Sequence, residues 1–206
     1  MSFIISLSQP TESVDTQPRI GGEALLPDTI AWPHNPKSEP LALVASLPSR
    51  FLNKELGYSL PTDTFVSVFT TYNKKDYFLD VITYTGTEEE LANLRAGYTH
   101  VLVHVEGKAR NESEYLVPAH RIELSSLDAA EEAHYTGSKF AGHPGWLQQE
   151  ELPAPELNYV LQLYSSDFPE DFEDIFYLTD AVGYLFLKPQ VTPNDSEAGL
   201  FFVQIT

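Results

Sequence analysis

Apolar and polar residues alternate along much of this chain with a period of two, the pattern of strands buried on one face. Residues 100–106 alternate most cleanly, with Val101, Val103 and Val105 on one face and His100, Leu102, His104 and Glu106 on the other. Residues 41–47 form a short apolar run. Residues 65–72 and 77–84 are rich in aromatic and β-branched side chains, and Asn73-Lys-Lys-Asp76 between them reads as a hairpin turn. Residues 159–164, 182–187 and 200–205 complete the strand set. The period changes in few places. Thr87 and Glu90 make a capping box ahead of Leu91 and Leu94, with Gly97 to close the helix. Residues 125–134 read as a second helix. In DFPEDFEDIF, residues 167–176, the rings of Phe168, Phe172 and Phe176 recur every four positions with Ile175 beside the last. That spacing predicts an amphipathic helix with an apolar stripe inward. Asp167 and Glu170 read as its capping pair, with Pro169 tolerated in the first turn. The expected class is mainly β, a β-rich α+β fold with about three short helices.

A second pattern works at longer range. Residues 62–69 read TDTFVSVF and residues 179–186 read TDAVGYLF. Upstream of the first lie RIGG (19–22), Trp32 and LALVASL (41–47). Upstream of the second lie KFAG (139–142), Trp146 and YVLQLYS (159–165). The order is the same in both, and Gly22 to Asp63 spans 41 positions against 38 from Gly142 to Asp180. Four ordered matches at nearly equal spacing imply a duplication. The chain is expected to be one domain, 1–206. Its two similar halves run over about 15–85 and about 136–206, joined by a β/α connection over about 86–135, in a roll-like scaffold. Gly21, Gly22 and Gly142 are expected at positive φ. Trp32 and Trp146 are expected to bury their rings and give their N–H groups to carbonyls. Asp63 and Asp180 are expected to accept backbone N–H bonds in turns.

These residues carry a resemblance. Ile20, Gly21, Gly22, Leu26, Pro27, Trp32 and Pro33, then KFAGHPGWLQ (139–148), Leu161–Leu163 as LQL, DAVGYLF (180–186) and GLFFVQ (199–204) resemble the YwqG-like family of bacterial domains of unknown function. The resemblance covers nearly the whole chain. It implies a mainly β, duplicated roll and brings no catalytic residues. Members often lie near toxin genes of bacterial competition systems, which implies an immunity role for some of them.

Charge narrows the classes of partner. Thirty acids face twelve Lys and Arg residues, a formal net charge of −18. After Lys139 only Lys188 is basic, while Glu150, Glu151, Glu156, the 167–174 cluster, Asp180, Asp195 and Glu197 are acidic. Phosphate binding needs cations that displace counterions, so neither nucleic acid nor an anionic membrane is an expected partner. A basic protein is. The chain has no Cys, which excludes disulfides and thiolate chemistry. It has no apolar run near the length of a membrane span, and its start lacks the basic region of a secretory signal. A cytoplasmic protein is expected.

Candidate chemistry is sparse. His100 and His104 stand two steps apart on a strand face, roughly 13 Å, too far to share one ion. That face is expected to be polar and solvated. His143 in the AGHP turn, and His34 after Trp32-Pro33, have no nucleophile in view. The acid cluster lacks the glycine and alternation of a calcium loop, so no metal and no cofactor is expected. The leading expectation is a non-enzymatic acidic binding protein, an immunity protein that covers a basic cognate toxin through Asp167, Glu170, Asp171, Glu173 and Asp174. The alternatives are a small-molecule or metal-dependent enzyme with Asp63, Trp32, His143, Trp146 and Asp180 lining a crevice between the halves, and a structural interaction module.

Overall fold

The protein is described from a computed structural model, which covers residues 1–11, 16–148, 152, 154–192, 195 and 198–206. Glu150, Glu151 and Glu197 of the acid-rich C-terminal stretch lie outside these residues. In chain order the elements are β1 (Phe3–Pro10), β2 (Arg19–Ile20), β3 (Ala24–Leu26), β4 (Ala42–Pro48), α1 (Ser49–Leu56), β5 (Thr64–Thr70), α2 (Leu79–Ile82) and α3 (Glu88–Asn93). There follow β6 (Thr99–Val105), β7 (Lys108–Arg110), β8 (His120–Ser126), β9 (Lys139–Phe140), β10 (Asn158–Tyr164), β11 (Val182–Leu187) and β12 (Gly199–Gln204). The fold is mainly β.

Ten strands form one sheet in the order β12-β11-β10-β9-β1-β8-β2-β4-β5-β6, and β3 pairs with β7 beside it. The order is palindromic about the β1–β8 pair. Registers match as well as order. Arg19 faces Ser46 as Lys139 faces Gln162, and Ser46 faces Ser67 as Gln162 faces Tyr184. A bulge falls between Leu43 and Ala45, and another between Tyr159 and Leu161. Gly21 and Gly22 have φ of 57° and 73°, and their counterparts Ala141 and Gly142 have 63° and 75°. A Cβ on Gly142 would stand 2.1 Å from Glu132 Oε1 and 2.9 Å from Ser2 Cβ, so a larger residue must displace both, at a positive φ. The strand that occupies β12's place in the other half is β6, from the segment read as a connection.

Strand alternation sorts the side chains into layers. Val66, Val68, Val101, Val103, Leu185, Phe201 and Val203 point into one central core shared by both halves. Residues of opposite parity face outward and are covered by the loop that precedes β4 or β10. Over the first half Trp32 packs with Leu41, Leu43 and Phe69. Over the second, Trp146 packs on Tyr184, Phe186 and Phe202. Trp32 is buried and its indole N–H donates to Leu41 O at 3.0 Å. Trp146 is half-buried. Each half also buries one cation, which donates to carbonyls: Arg19 to Gly21 and Glu23, Lys139 to Glu132. The sheet is nearly closed, because its end strands β6 and β12 meet, with Thr99 Oγ1 donating to Phe201 O at 2.6 Å.

Several local expectations need correction. No hairpin joins 65–72 to 77–84. After β5 the chain turns at 73–76 and enters α2, because Phe78, Leu79 and Ile82 follow helical spacing and all three are buried. Residues 125–134 are not a helix. Ser125 and Ser126 finish β8, paired with Ile4 and Phe3, and only a 3₁₀ turn at Glu132–His134 remains. The outer face of β6 is not solvated. His104 is fully buried, its Nδ1–H donating to Val105 O and its Nε2 taking a bond from Ser67 Oγ. Val105, at the strand's end, is exposed. The capping box at Thr87 and Glu90 forms, and Gly97 turns the chain into β6 with φ 104°.

Candidate functional site

Residues 167–176 do not form the expected α-helix. They run as 3₁₀ turns at Ser165–Asp167 and Glu170–Phe172, followed by further turns. Pro169 holds an extended ψ of 147°, which stops a helix from starting at Asp167. A helix here would also stack Asp167 with Glu170 and Asp171, and Glu170 with Glu173 and Asp174, at spacings where like charges repel. Short bonds from Phe172 N to Pro169 O (2.6 Å), Ile175 N to Phe172 O (3.0 Å) and Tyr177 N to Asp174 O (2.7 Å) close the turns instead. The apolar half of the expectation is met. Phe168, Phe172, Ile175 and Phe176 are all buried in the central core, and Phe176 touches the rings of Phe168 and Phe201.

The five acids divide by environment. Asp174 Oδ1 accepts the Tyr72 hydroxyl at 2.6 Å, and Asp167 Oδ2 accepts Ser138 N at 3.3 Å. Burial, with Asp174 adding to it, pushes the Tyr72 hydroxyl far above its ordinary range, so this phenol stays protonated and donates. Glu170 and Asp171 are exposed and Glu173 is half-buried. Among the described residues none of these three is in an ion pair. The nearby cation Lys74 donates to the Asp171 carbonyl at 2.8 Å and lies over the Phe172 ring at 5.1 Å. It rivets the segment to the 73–78 loop and leaves the Asp171 carboxylate open.

That loop adds what charge spacing did not reveal. Tyr77 is 53% exposed, its ring edge-on to Tyr177 at 5.0 Å. Tyr177 has φ 74°, a strained value for a non-glycine residue, and is held there between Tyr77 and Phe78. A dimple of about 160 Å³ beside the exposed acids is lined by Lys74, Lys75, Asp76, Tyr77, Asp174 and Tyr177, so charges of both signs and two aromatic edges border the segment. The aromatic and β-branched run over 77–84 marks Tyr77 as a strand residue, so no sequence signal places it here.

The other candidate residues do not gather. Trp32 and Trp146 belong to separate clusters, each on the outer face of its own half. Asp63 and Asp180 are exposed at the ends of different connections, and Asp180 accepts the Thr206 hydroxyl at 3.0 Å. The His143 side chain is exposed beside Glu132, at 3.4 Å. A cavity of about 510 Å³ does lie between the halves, at the β6–β12 seam, but Arg95, His100, Glu156, Leu157 and Leu200 line it and none of the five does. Among the described residues no group of three or more His, Asp or Glu is placed to hold a metal ion, and no helix is long and apolar enough to cross a membrane.

No curated protein matches the chain. The model of one family, a domain of unknown function termed DUF1963, matches residues 18–191. That span reaches from the first buried cation, Arg19, past the end of β11, taking in both tryptophan loops and the acidic segment, and the chain therefore belongs to the DUF1963 family.

Proposed function

We propose that this chain is a YwqG-like, non-enzymatic binding protein of the cytoplasm that neutralises a basic bacterial toxin by direct contact, using the acidic face of residues 167–177 and Tyr77. The observation that carries the reading is the state of Glu170, Asp171 and Glu173. Their carboxylates are unpaired among the described residues, on a segment whose rings are anchored in the core, beside an exposed tyrosine. Anchoring lowers the ordering cost of binding. Acid around aromatic area suits a cationic protein surface, where charge steers the encounter and a ring supplies contact energy. The net charge of −18 adds a long-range pull on such a partner. The palindromic sheet and its matched registers support descent of the two halves by duplication. A small-molecule or metal-dependent enzyme working between the halves is the second reading, and it rests on the seam cavity rather than on Asp63, Asp180 or His143.

The test uses any candidate toxin that the genes beside this one encode. Each is co-expressed with the protein and scored for growth, and association is followed by surface plasmon resonance at several salt concentrations. Asp171→Lys combined with Glu173→Lys is expected to slow association about tenfold at low salt and to leave folding intact. An unchanged rate and affinity would remove the acidic face from the account. Failure of every neighbouring toxin to bind would remove the immunity role.

A further inference from the structure

The seam cavity holds polar groups that the fold does not use. It opens where β6 and β12, the two ends of the sheet, come together without a hydrogen-bonded ladder. Three segments shape it. Leu94 is buried against Val182 and Phe202 and fixes the turn after α3, which sets Arg95 on the wall. A turn closed by Leu157 N and Ala154 O, at 3.0 Å, brings Glu156 and Leu157 to the opening. His100, on β6, is half-buried, and burial lowers its pKa, so its ring is neutral with one N–H and one bare nitrogen. Among the described residues, no hydrogen bond or ion pair engages the His100 ring, the Arg95 guanidinium or the Glu156 carboxylate. Arg95 and Glu156 line one cavity with opposite charges yet are not within 4.0 Å of each other. Leu157, Leu200 and Phe201 supply apolar wall between the charged groups.

We propose that this cavity binds a free α-amino acid with an apolar side chain. Its carboxylate takes the fork of Arg95 and the His100 N–H, its ammonium takes Glu156, and its side chain lies on Leu157 and Leu200. The volume of about 510 Å³ falls within the range of small-ligand pockets. The pairing of charges decides the class. Glu156 opposes a phosphate or any polyanion, and Arg95 opposes a simple amine, so a ligand with one charge of each sign leaves neither unpaired. The site shares no residue with the acidic face and stands or falls apart from it.

The experiment is isothermal titration calorimetry and thermal shift on the full chain, with L-leucine and L-phenylalanine as probes. 3-Phenylpropionate, which lacks the amine, and phenethylamine, which lacks the carboxylate, serve as single-charge controls. Saturable one-to-one binding of the amino acids is expected, weaker by about tenfold or more for either control. Arg95→Ala and Glu156→Gln should each weaken it by a similar factor, while Arg50→Ala on α1 leaves it unchanged. Arg95 and Glu156 are exposed, and the unliganded melting temperature of each variant checks that it folds. No saturable heat or shift at millimolar concentrations would overturn the proposal, as would binding indifferent to both substitutions or a control that binds as tightly as phenylalanine.

Discussion

Two connections occupy the same place in the two halves and solve it differently. Residues 49–63 join β4 to β5, and residues 165–181 join β10 to β11. Each starts at a buried serine, Ser49 or Ser165, and each carries Thr-Asp near its end, directly before β5 in the first and one residue, Ala181, before β11 in the second. Each must also drive apolar side chains into the common core. The first does so with a regular helix, α1. Leu52 is buried on it, Gly57 ends it at φ 69°, and the Asn53 side chain clamps Leu60 through both its N–H and its carbonyl. Its charges, Arg50, Lys54 and Glu55, are mixed. The second buries Phe168, Phe172, Ile175 and Phe176 from turns and carries six acids, of which Asp174 is spent on the Tyr72 hydroxyl. The sheet fixes where these segments begin and end and how much apolar area they must deliver. It leaves the outer surface free, and the second half has used that freedom to gather charge of one sign.

The largest effect that tests this comparison is on stability. Phe176 is fully buried and touches Phe168 and Phe201. Phe176→Ala should cost about 3–5 kcal/mol, at least as much as Leu52→Ala at about 2–5 kcal/mol, by urea denaturation. A cost under about 1 kcal/mol for Phe176→Ala would mean that the acidic segment is a surface appendage and not a counterpart of α1.

Next is the bond that ties the segment to the first half. Tyr72 is 5% exposed and its hydroxyl relies on Asp174. Asp174→Ala leaves that hydroxyl without its acceptor and should cost about 1–3 kcal/mol, whereas Tyr72→Phe with Asp174→Ala should recover part of the loss. Asp174→Ala alone should also lower the Tyr72 pKa toward the ordinary phenol range, read by ultraviolet titration. Full additivity of the two changes would show that the bond is not a shared constraint.

The halves should also differ in their response to pH. His104 on β6 stands where β12 has Gln204, and burial depresses the histidine's pKa below its ordinary 6.5. The unfolded chain then binds a proton more readily than the folded one. The stabilising contribution is complete above pH 6.5 and fades as pH falls through the lowered folded value. His100 acts in the same direction for the same reason. His104→Gln copies the other half and should flatten the slope of stability below about pH 6.5, followed as urea midpoint against pH. An unchanged slope would assign the titration elsewhere.

How much of this was legible in the residues depends on the range of the interaction. Strands with strong alternation or apolar runs, β4, β6, β10, β11 and β12, were read within a residue or so of their observed ends, because the period reports burial directly. The central pair, β1 with β8, was not. Its residues are only partly buried and mix polar with apolar positions, so the pairing lies in contacts more than a hundred residues apart. The acidic segment shows both sides. The spacing of Phe168, Phe172 and Phe176 told correctly which side chains go inside, but tight turns bury the same set as a helix would, and Pro169 with the repulsion among the acids decided between them. Tyr77 and the seam lining were invisible, since Arg95, His100 and Glu156 are brought to one cavity by sheet closure and not by spacing.

The smallest expected effect comes from the two serines, and it isolates how far the two halves of the palindromic sheet are alike. Ser49 Oγ lies 2.6 Å from Thr64 Oγ1. In the second half the residue in the place of Thr64 is Ala181, and Ser165 Oγ is buried with no hydrogen-bond partner among the described residues. The backbone of the second site still holds, with Ser165 N donating to Ala181 O at 2.9 Å. A buried hydroxyl with no partner carries its desolvation cost without return. Ser165→Ala should therefore be neutral or stabilising by up to about 1 kcal/mol, while Ser49→Ala should destabilise by about 1 kcal/mol. Ala181→Thr offers Ser165 the partner that Thr64 gives Ser49. In that background Ser165→Ala should become destabilising, a reversal of sign that a double-mutant cycle reads directly. The same sign in both backgrounds would mean that the two serine sites are not equivalent, and that the likeness of the halves ends at the strands.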